Sequence, residues 1–124
     1  MTAKSVTVLI GHPDPSLQRL IRKLALAYAQ GARDAGCQVH LFDIAEMSLD
    51  FLRAQGDFES NVAADSDVAQ LQAAIRESSH FVLFHPLWLG GMPALLKALF
   101  EQLCRGDFVF NSNRSPFARK LAGR

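Results

Sequence analysis

The sequence has little of what marks several large classes of protein. Its two cysteines, Cys37 and Cys104, are too few and too far apart for a disulfide scaffold or a zinc site. The chain has 13 Lys and Arg residues and 12 Asp and Glu residues. Its net charge of +1 therefore provides no attraction to nucleic acid or to an anionic membrane. The most apolar stretch, residues 81–84 with 87–89, is far shorter than the roughly 18 residues of a membrane span. We therefore expect no nucleic-acid binding and no membrane insertion.

The composition is that of a folded globular chain. Hydrophobic residues make up 49% of the 124 residues and charged residues 20%, and the mean hydropathy is +0.09. These values argue against disorder, and the length predicts a single domain, residues 1–124. Residues 1–4 lead directly into a strand-like run without the pattern of a secretory signal, so we predict a cytoplasmic location.

The first 43 residues form the pattern of a strand, a helix and a second strand. Residues 5–10 are β-branched and apolar and stop at Gly11, which is typical of a parallel strand covered on both faces. Asp14 as N-cap and Pro15 at the first helical position predict the start of a helix, and Gly36 predicts its end. A second strand follows at residues 37–42. The helix is predicted to bury an apolar stripe, with Arg and Lys opposite, made of Leu17, Leu20, Ile21, Leu24 and Tyr28.

The second half of the chain continues the alternation. Residues 45–64 are irregular and suggest a surface excursion with a short helical turn near residues 49–53. Asp67 with Gln70 resembles a capping box and predicts a helix to about Glu77, followed by a strand at residues 80–84. A last helix starts at Pro93 and ends near Gly106, and its predicted buried residues are Leu95, Leu96, Leu99, Phe100 and Leu103. This order predicts the doubly wound α/β class.

Two loops of unusual composition follow the first and third predicted strands. Ligands of doubly wound sheets bind outside the carboxyl ends of the strands, which is where residues 11–16 and 85–92 are expected. In the first loop, Ser16, the amides of the first helical turn and His12 could hold a phosphate, although an ordinary capped loop has a similar composition. In the second, Trp88 beside Gly90 and Gly91 suits a flat aromatic ligand, although a hydrophobic loop that caps the core would look alike.

Other chemistries lack their signatures. The four histidines have poor spacing for a metal site, and we predict none. No G-x-S-x-G elbow is present, and neither cysteine lies in an environment that would activate a thiolate. The sequence by itself therefore points to no catalytic side chain.

A longer motif identifies a resemblance. Residues 85–97 read His-Pro-Leu-Trp-Leu-Gly-Gly-Met-Pro-Ala-Leu-Leu-Lys and are followed by Glu101 and by Phe108-Val-Phe110. This run resembles the signature of NAD(P)H quinone reductases, the flavodoxin-like flavoproteins of the DT-diaphorase type and their bacterial relatives. Residues 11–17, Gly-His-Pro-Asp-Pro-Ser-Leu, are similar to the phosphate loop of that family. The resemblance implies a flavodoxin-like three-layer α/β/α fold with a parallel sheet.

The resemblance also implies an activity and a site. Members of the family pass a hydride from NAD(P)H to a bound flavin, FMN or FAD, and then to a quinone by ping-pong kinetics, and they are typically homodimers. By position, the residues implied to contact the flavin are His12, Ser16, Leu17, Gln18, Pro86, Leu87, Trp88, Leu89, Gly90 and Gly91. Those implied to wall the quinone pocket are Phe110, Asn111 and Ser112. Gln18 departs from the pattern, because many relatives have asparagine there.

Two alternatives stay open. Some relatives are accessory subunits of potassium-efflux antiporters, which would make this a flavin-binding regulatory protein. The family sequence also continues beyond the equivalent of Arg124 with further strands, so we expect an amino-terminal portion of the fold that lacks its last strands and could be inactive alone. In that case the strand at residues 80–84 is a sheet edge, covered by the tail, by a second chain or by a longer protein.

Overall fold

A computed structural model describes residues 4–109 of the chain. Strands and helices alternate along it, as the sequence predicts. The elements are β1 (Ser5–Ile10), α1 (Leu20–Asp34), β2 (Gln38–Asp43), a 3-10 helix (Ile44–Glu46), α2 (Gln55–Glu59), α3 (Asp67–Glu77), β3 (His80–Phe84) and α4 (Ala94–Leu103).

The sheet is parallel and has the order β2-β1-β3. Val8 of β1 lies opposite Leu41 of β2 and Val82 of β3. Since β1 has a neighbour on each side and a helical layer on each face, five of its six residues are buried. All three strands end at the same edge of the sheet, which brings the loops after β1 and β3 together.

Two apolar clusters lie between the sheet and its two helical layers. On one face, Leu9 packs with residues of α3 and α4, among them Leu71, Leu96 and Leu99. On the other face, Val6, Val8 and Ile10 of β1 pack against Ala25 of α1. The side chains of a strand alternate between its two faces, so one strand supplies both clusters. The three-layer α/β/α prediction is confirmed for the described residues.

The start of α1 differs from the prediction. Asp14 and Pro15 do not open the helix, which begins at Leu20 with Arg19 as its N-cap. The Asp14 carboxylate accepts the Ser16 N–H at 2.9 Å, and the Ser16 carbonyl accepts the Arg19 N–H at 3.3 Å. These bonds form turns that keep residues 14–19 outside the helix.

The buried face of α1 was also predicted wrongly. Arg22, Ala25 and Ala29 are buried, whereas most of the predicted stripe is exposed. Two alanines allow the helix backbone to approach the sheet closely, and this places the larger side chains beside the contact instead of in it. The exposed members of the predicted stripe are Leu17, Leu20, Leu24 and Tyr28.

The middle of the chain needs smaller corrections. No helical turn forms at residues 49–53; the 3-10 helix and α2 lie on either side of that segment. Ser66 caps α3 by accepting the Ala69 N–H at 3.1 Å, so the cap lies one residue before the predicted Asp67. In α4, Leu96, Leu99 and Leu103 are buried as predicted. Leu95 and Phe100 are half-buried, and the helix ends at Leu103, before Gly106.

The strand β3 lies at an edge of the sheet that the described residues form. It pairs with β1, and its residues 81–84 are half-buried. Beside it, the ring of Tyr28 lies 5.6 Å from the ring of Phe84. The predicted position of this strand at an edge is confirmed for residues 4–109.

We expect leucine truncation to separate the core from the exposed face of α1. Leu99→Ala empties a site that is 0% exposed and should lower the free energy of unfolding by about 2–5 kcal/mol. The matched control Leu20→Ala, at a leucine 68% exposed, should change it by about 0.5 kcal/mol or less. Urea denaturation measures both. Equal losses in the two variants would contradict the described packing.

Candidate functional site at the carboxyl edge of the sheet

The two predicted loops meet at the carboxyl edge of the sheet. Gly11, directly after β1, donates its N–H to the carbonyl of Phe84, the last residue of β3, at 2.7 Å. One residue further along the first loop, the ring of His12 meets the ring of Trp88 edge to face, with centroids 5.6 Å apart and planes at 88°. Two segments separated by about 75 positions in the chain thus form one surface.

Gly11 permits this approach because it has no side chain. A Cβ at this position would lie 3.0 Å from the Phe84 carbonyl oxygen and 3.0 Å from Leu96 Cδ2. Such distances are tighter than ordinary van der Waals contact. The strand end, the second loop and α4 would have to move apart to accept a methyl group.

His12 has a defined hydrogen-bonding role within the first loop. The residue is 8% exposed, and its ring Nδ1 accepts the Asp14 N–H at 3.0 Å. In the neutral imidazole the proton then lies on Nε2, which is left as the donor. The prediction that His12 can donate a hydrogen bond to a ligand stays a prediction, and the hydrogen bond at Nδ1 specifies the nitrogen that would do so.

Asp14 organises the rest of the first loop. Its carboxylate accepts the Ser16 N–H and, at 2.8 Å, the Nε–H of Arg19. These two donors lower the pKa of Asp14 below its ordinary value of 3.8, with the Ser16 N–H as the larger cause. Ser16 Oγ in turn accepts the Gln18 N–H at 3.3 Å.

These bonds change which donors the loop offers to an anion. The amides of Ser16 and Gln18 are already hydrogen-bonded within the loop. The remaining candidates are the Ser16 hydroxyl, His12 Nε2 and the first amides of α1, which have no partner inside an α-helix. Leu17 and Gln18 lie in the exposed turn just before the helix.

Arg22 is a residue that the sequence reasoning placed on the wrong face. It is 3% exposed, it forms a salt bridge with Asp43 at the end of β2, and it donates to the backbone of the first loop. A signal was present, because Arg22, Ala25 and Ala29 are spaced by three and four positions and share one helical face. The larger leucines hid this weaker pattern.

The second loop contains a tight turn. Trp88 and Gly91 exchange both backbone hydrogen bonds, at 2.8 and 3.0 Å, and the two residues between them have positive φ, 50° for Leu89 and 78° for Gly90. Positive φ is uncommon for leucine, so the turn holds Leu89 in a conformation that it rarely adopts. The Gly91 N–H is used by the turn itself, which leaves the inner amides of Leu89 and Gly90 outside this pair of bonds.

The side chains of the second loop form an apolar rim. Leu87 and Leu89 are largely exposed and Trp88 about half exposed. At the base of the loop, His85 Nδ1 lies 2.8 Å from the carbonyl oxygen of the half-buried Pro86. The half-exposed Trp88 ring and two aliphatic side chains thus lie at the surface directly beside His12. Phe110, Asn111 and Ser112 lie outside the described residues.

Other candidate chemistry is sparse in residues 4–109. No group of three or more His, Cys, Asp or Glu side chains there could hold a metal ion, and none of the helices there is long and apolar enough to cross a membrane. Cys37 and Cys104 form no disulfide. Burial raises the pKa of the Cys104 thiol, which is the opposite of activation.

Comparison with known proteins places this arrangement in a family. A family model described as flavodoxin-like fold matches residues 4–124. The chain belongs to the flavodoxin-like fold family. The recognition made from residues 11–17 and 85–110 is thereby confirmed at the level of the family and its fold.

Similar proteins carry oxidoreductase names. The chain is 29% identical over 116 residues to an FMN-dependent NADH:quinone oxidoreductase of Burkholderia lata, covering 91% of this chain and 49% of that protein. Among solved structures, an NAD(P)H:quinone oxidoreductase from Methanothermobacter marburgensis has a TM-score of 0.69 at 23% identity over 84% of this chain and 55% of that one. An azoreductase from Bacillus anthracis has a TM-score of 0.62 at 19% identity, over 89% and 61%. This family member spans about half the length of the curated relatives it matches.

Two glycine-to-alanine substitutions test the close approach at the site. Gly11→Ala should lower the free energy of unfolding by about 1–3 kcal/mol, because its methyl group overpacks the junction of β1, β3 and α4. Gly31→Ala is the control: it lies within α1 with open space around it, and should raise that free energy by up to about 1 kcal/mol. Urea denaturation compares them, and a neutral Gly11→Ala would contradict the geometry.

Asp14 should make the stability of the loop depend on pH. Because its folded-state pKa lies below the unfolded value, the ionised carboxylate stabilises the fold above that value. This contribution is lost as the pH falls through the folded-state pKa. We expect the difference in the free energy of unfolding between wild type and Asp14→Asn to shrink as the pH falls from the unfolded-state pKa of Asp14 through its folded-state pKa.

An NMR titration of the Asp14 carboxyl group measures the effect directly. The midpoint should lie below 3.8 and should rise in Arg19→Gln, which removes the second of the two stabilising donors. A wild-type midpoint at or above 3.8 would contradict the described hydrogen bonds.

Proposed function

We propose that this chain binds FMN between residues 11–19 and 85–93 and forms the flavin-binding part of an NAD(P)H:quinone oxidoreductase. The observation that carries the proposal is the edge-to-face contact of His12 with Trp88. It joins a loop with donors for an anion to a turn with a half-exposed aromatic ring. A flavin mononucleotide has both features, a phosphate and a flat heteroaromatic ring.

The first loop supports the phosphate end of this ligand. The Ser16 hydroxyl and His12 Nε2 are donors beside the amino terminus of a 15-residue helix, whose dipole favours an anion. Lys23 adds positive charge at the same end. The carboxylate of Asp14 opposes a phosphate, but Arg19 neutralises it by direct pairing at 2.8 Å.

The second loop supports the ring end. Trp88 offers part of its ring for stacking, and Leu87 and Leu89 would exclude water around a flat apolar ligand. The inner amides of the turn, those of Leu89 and Gly90, can reach heteroatoms on such a ring. Pro86 and Gly91 set the course of the backbone on either side, and Gly91 also closes the turn.

The bound group would supply the redox chemistry, accepting a hydride from NAD(P)H and passing it to a quinone. The side chains described above would bind and orient that group and exclude water from it. FMN is preferred here over FAD because the Burkholderia lata relative is named FMN-dependent. A quinone pocket that includes Phe110, Asn111 and Ser112, a homodimer and a cytoplasmic location belong to the same proposal.

The single tryptophan makes the proposal easy to test, because all tryptophan fluorescence reports on Trp88. Adding FMN to the purified chain should quench this emission with a Kd of about 1 μM or tighter. Ultrafiltration should retain the yellow ligand with the protein. If neither FMN nor FAD quenches the emission or is retained with the protein, the proposed flavin site in this chain is refuted. If FAD binds more tightly than FMN, the assigned ligand changes to FAD.

Substitution of the aromatic face should weaken binding. We expect Trp88→Ala to raise the Kd for FMN about tenfold, measured by ultrafiltration, because a stacking face is lost. The matched control is Phe58→Ala, a partly exposed aromatic side chain in α2. The Phe58 carbonyl accepts the Gly106 N–H. Phe58 therefore lies near the carboxyl end of α4, whereas the candidate site lies near the amino end of that helix. Similar losses in both variants would argue against stacking on Trp88.

Turnover separates the enzyme from a binding module. An oxidoreductase should oxidise NADH or NADPH in the presence of FMN and a quinone, with parallel initial-rate lines for the two substrates. Tight FMN binding without turnover by this chain would fit both the flavin-binding regulatory alternative and an amino-terminal portion that is inactive alone, and only the regulatory alternative also predicts binding to a membrane-protein partner.

A further inference from the structure

The Arg22 guanidinium lies buried beneath the first loop. Its Nη2 donates to the carbonyl oxygens of His12, at 3.3 Å, and Asp14, at 3.1 Å. Both terminal nitrogens also bind the carboxylate of Asp43, so the two N–H groups of Nη2 are shared among three acceptors. Asp43 is itself held at the end of β2, where its Oδ1 accepts the Ala45 N–H at 3.0 Å.

The two carbonyls that Arg22 binds have a chemical peculiarity. Each precedes a proline, Pro13 or Pro15, so each belongs to a peptide group that has an acceptor and no N–H. In a loop that binds an anion, such a group can only repel the ligand if its oxygen faces the site. Turned toward a buried cation, the same oxygen is satisfied and removed from the surface.

We propose that Arg22 is a positioning residue that holds these two proline-blocked carbonyls away from the phosphate site and so makes the loop selective for a phosphorylated flavin. This inference rests on the proposed function. Arg22 does not contact the ligand: it is 3% exposed and its charge is paired with Asp43. It acts through the orientation of the backbone at His12 and Asp14.

The role requires arginine specifically. A guanidinium presents several N–H groups in one plane and can bind a carboxylate and two carbonyls at the same time. Lysine keeps the charge but has a compact head on a flexible chain, so it cannot reproduce this fork of donors. Arg22→Lys should therefore preserve much of the pairing with Asp43 while releasing at least one carbonyl.

A purely structural ion pair would behave differently from a positioning residue. If Arg22 only tied α1 to β2, its loss would lower stability and weaken all flavins alike. If it orients the loop carbonyls, its loss should weaken FMN much more than riboflavin, which has the same ring system without the phosphate. The ratio of the two dissociation constants therefore separates the two roles.

The experiment measures the Kd of FMN and of riboflavin by quenching of Trp88 in the full chain. In wild type, FMN should bind more tightly than riboflavin. In Arg22→Met and Arg22→Lys, the Kd for FMN should rise at least about tenfold while that for riboflavin changes about twofold or less. Arg33→Met, the same substitution at an exposed site in the last turn of α1, should leave both constants unchanged.

A third variant keeps the test decisive if Arg22→Met does not fold. Asp43→Asn breaks the ion pair but retains the donors of Arg22 to His12 and Asp14, so it should lower stability and keep the preference for FMN. A preference that is unchanged in Arg22→Lys, or is lost equally in Asp43→Asn, would overturn the positioning role.

The outcomes distinguish this inference from the proposed function. A wild-type chain that binds neither flavin refutes the proposed function itself. A wild-type chain that binds both flavins equally retains a flavin site but overturns phosphate selection by the loop, and Arg22 positioning with it.

Discussion

The parallel pairing of β1 with both of its neighbours is the constraint on which the rest of the structure depends. Because β2 and β3 flank β1 in the same direction, all three strands deliver their following loops to one edge. The bond from the Gly11 N–H to the Phe84 carbonyl then fixes the first and second loops against each other. His12 and Trp88 meet because of this pairing, although neither loop alone would place them together.

The same pairing explains why a charge is buried in α1. The helix approaches the sheet on two alanines, and the space at its first turns opens toward the strand ends, where backbone carbonyls and the Asp43 carboxylate converge. Acceptors concentrated in a buried space require a donor that can satisfy several at once. Arg22 meets this requirement, while Leu20, Leu24 and Leu26 of the same helix are exposed.

Much of the fold could be predicted from local pattern. Residues 5–10 are apolar and β-branched, which predicts a strand. The spacing of Val68, Leu71 and Ile75 predicts a helix. Both elements form where expected. The start of α1 could not be predicted in this way. Asp14 followed by Pro15 is a good helix start, but the carboxylate bonds the Ser16 amide and Arg19 instead, and residue pattern does not tell which of these competing local bonds forms.

The sequence by itself determined the alternation of strands and helices, the family and the two loops in which a ligand site should be sought, because these depend on periodicity and on short motifs. Tertiary structure alone decided which side chains of α1 face the protein core and which hydrogen-bond donors remain open in each loop. These outcomes depend on which groups compete for the same buried space and the same hydrogen bonds. Arg22 shows the difference: its sequence position indicates an exposed helical charge, and only the carbonyls and the carboxylate gathered beneath the loop make it a buried one.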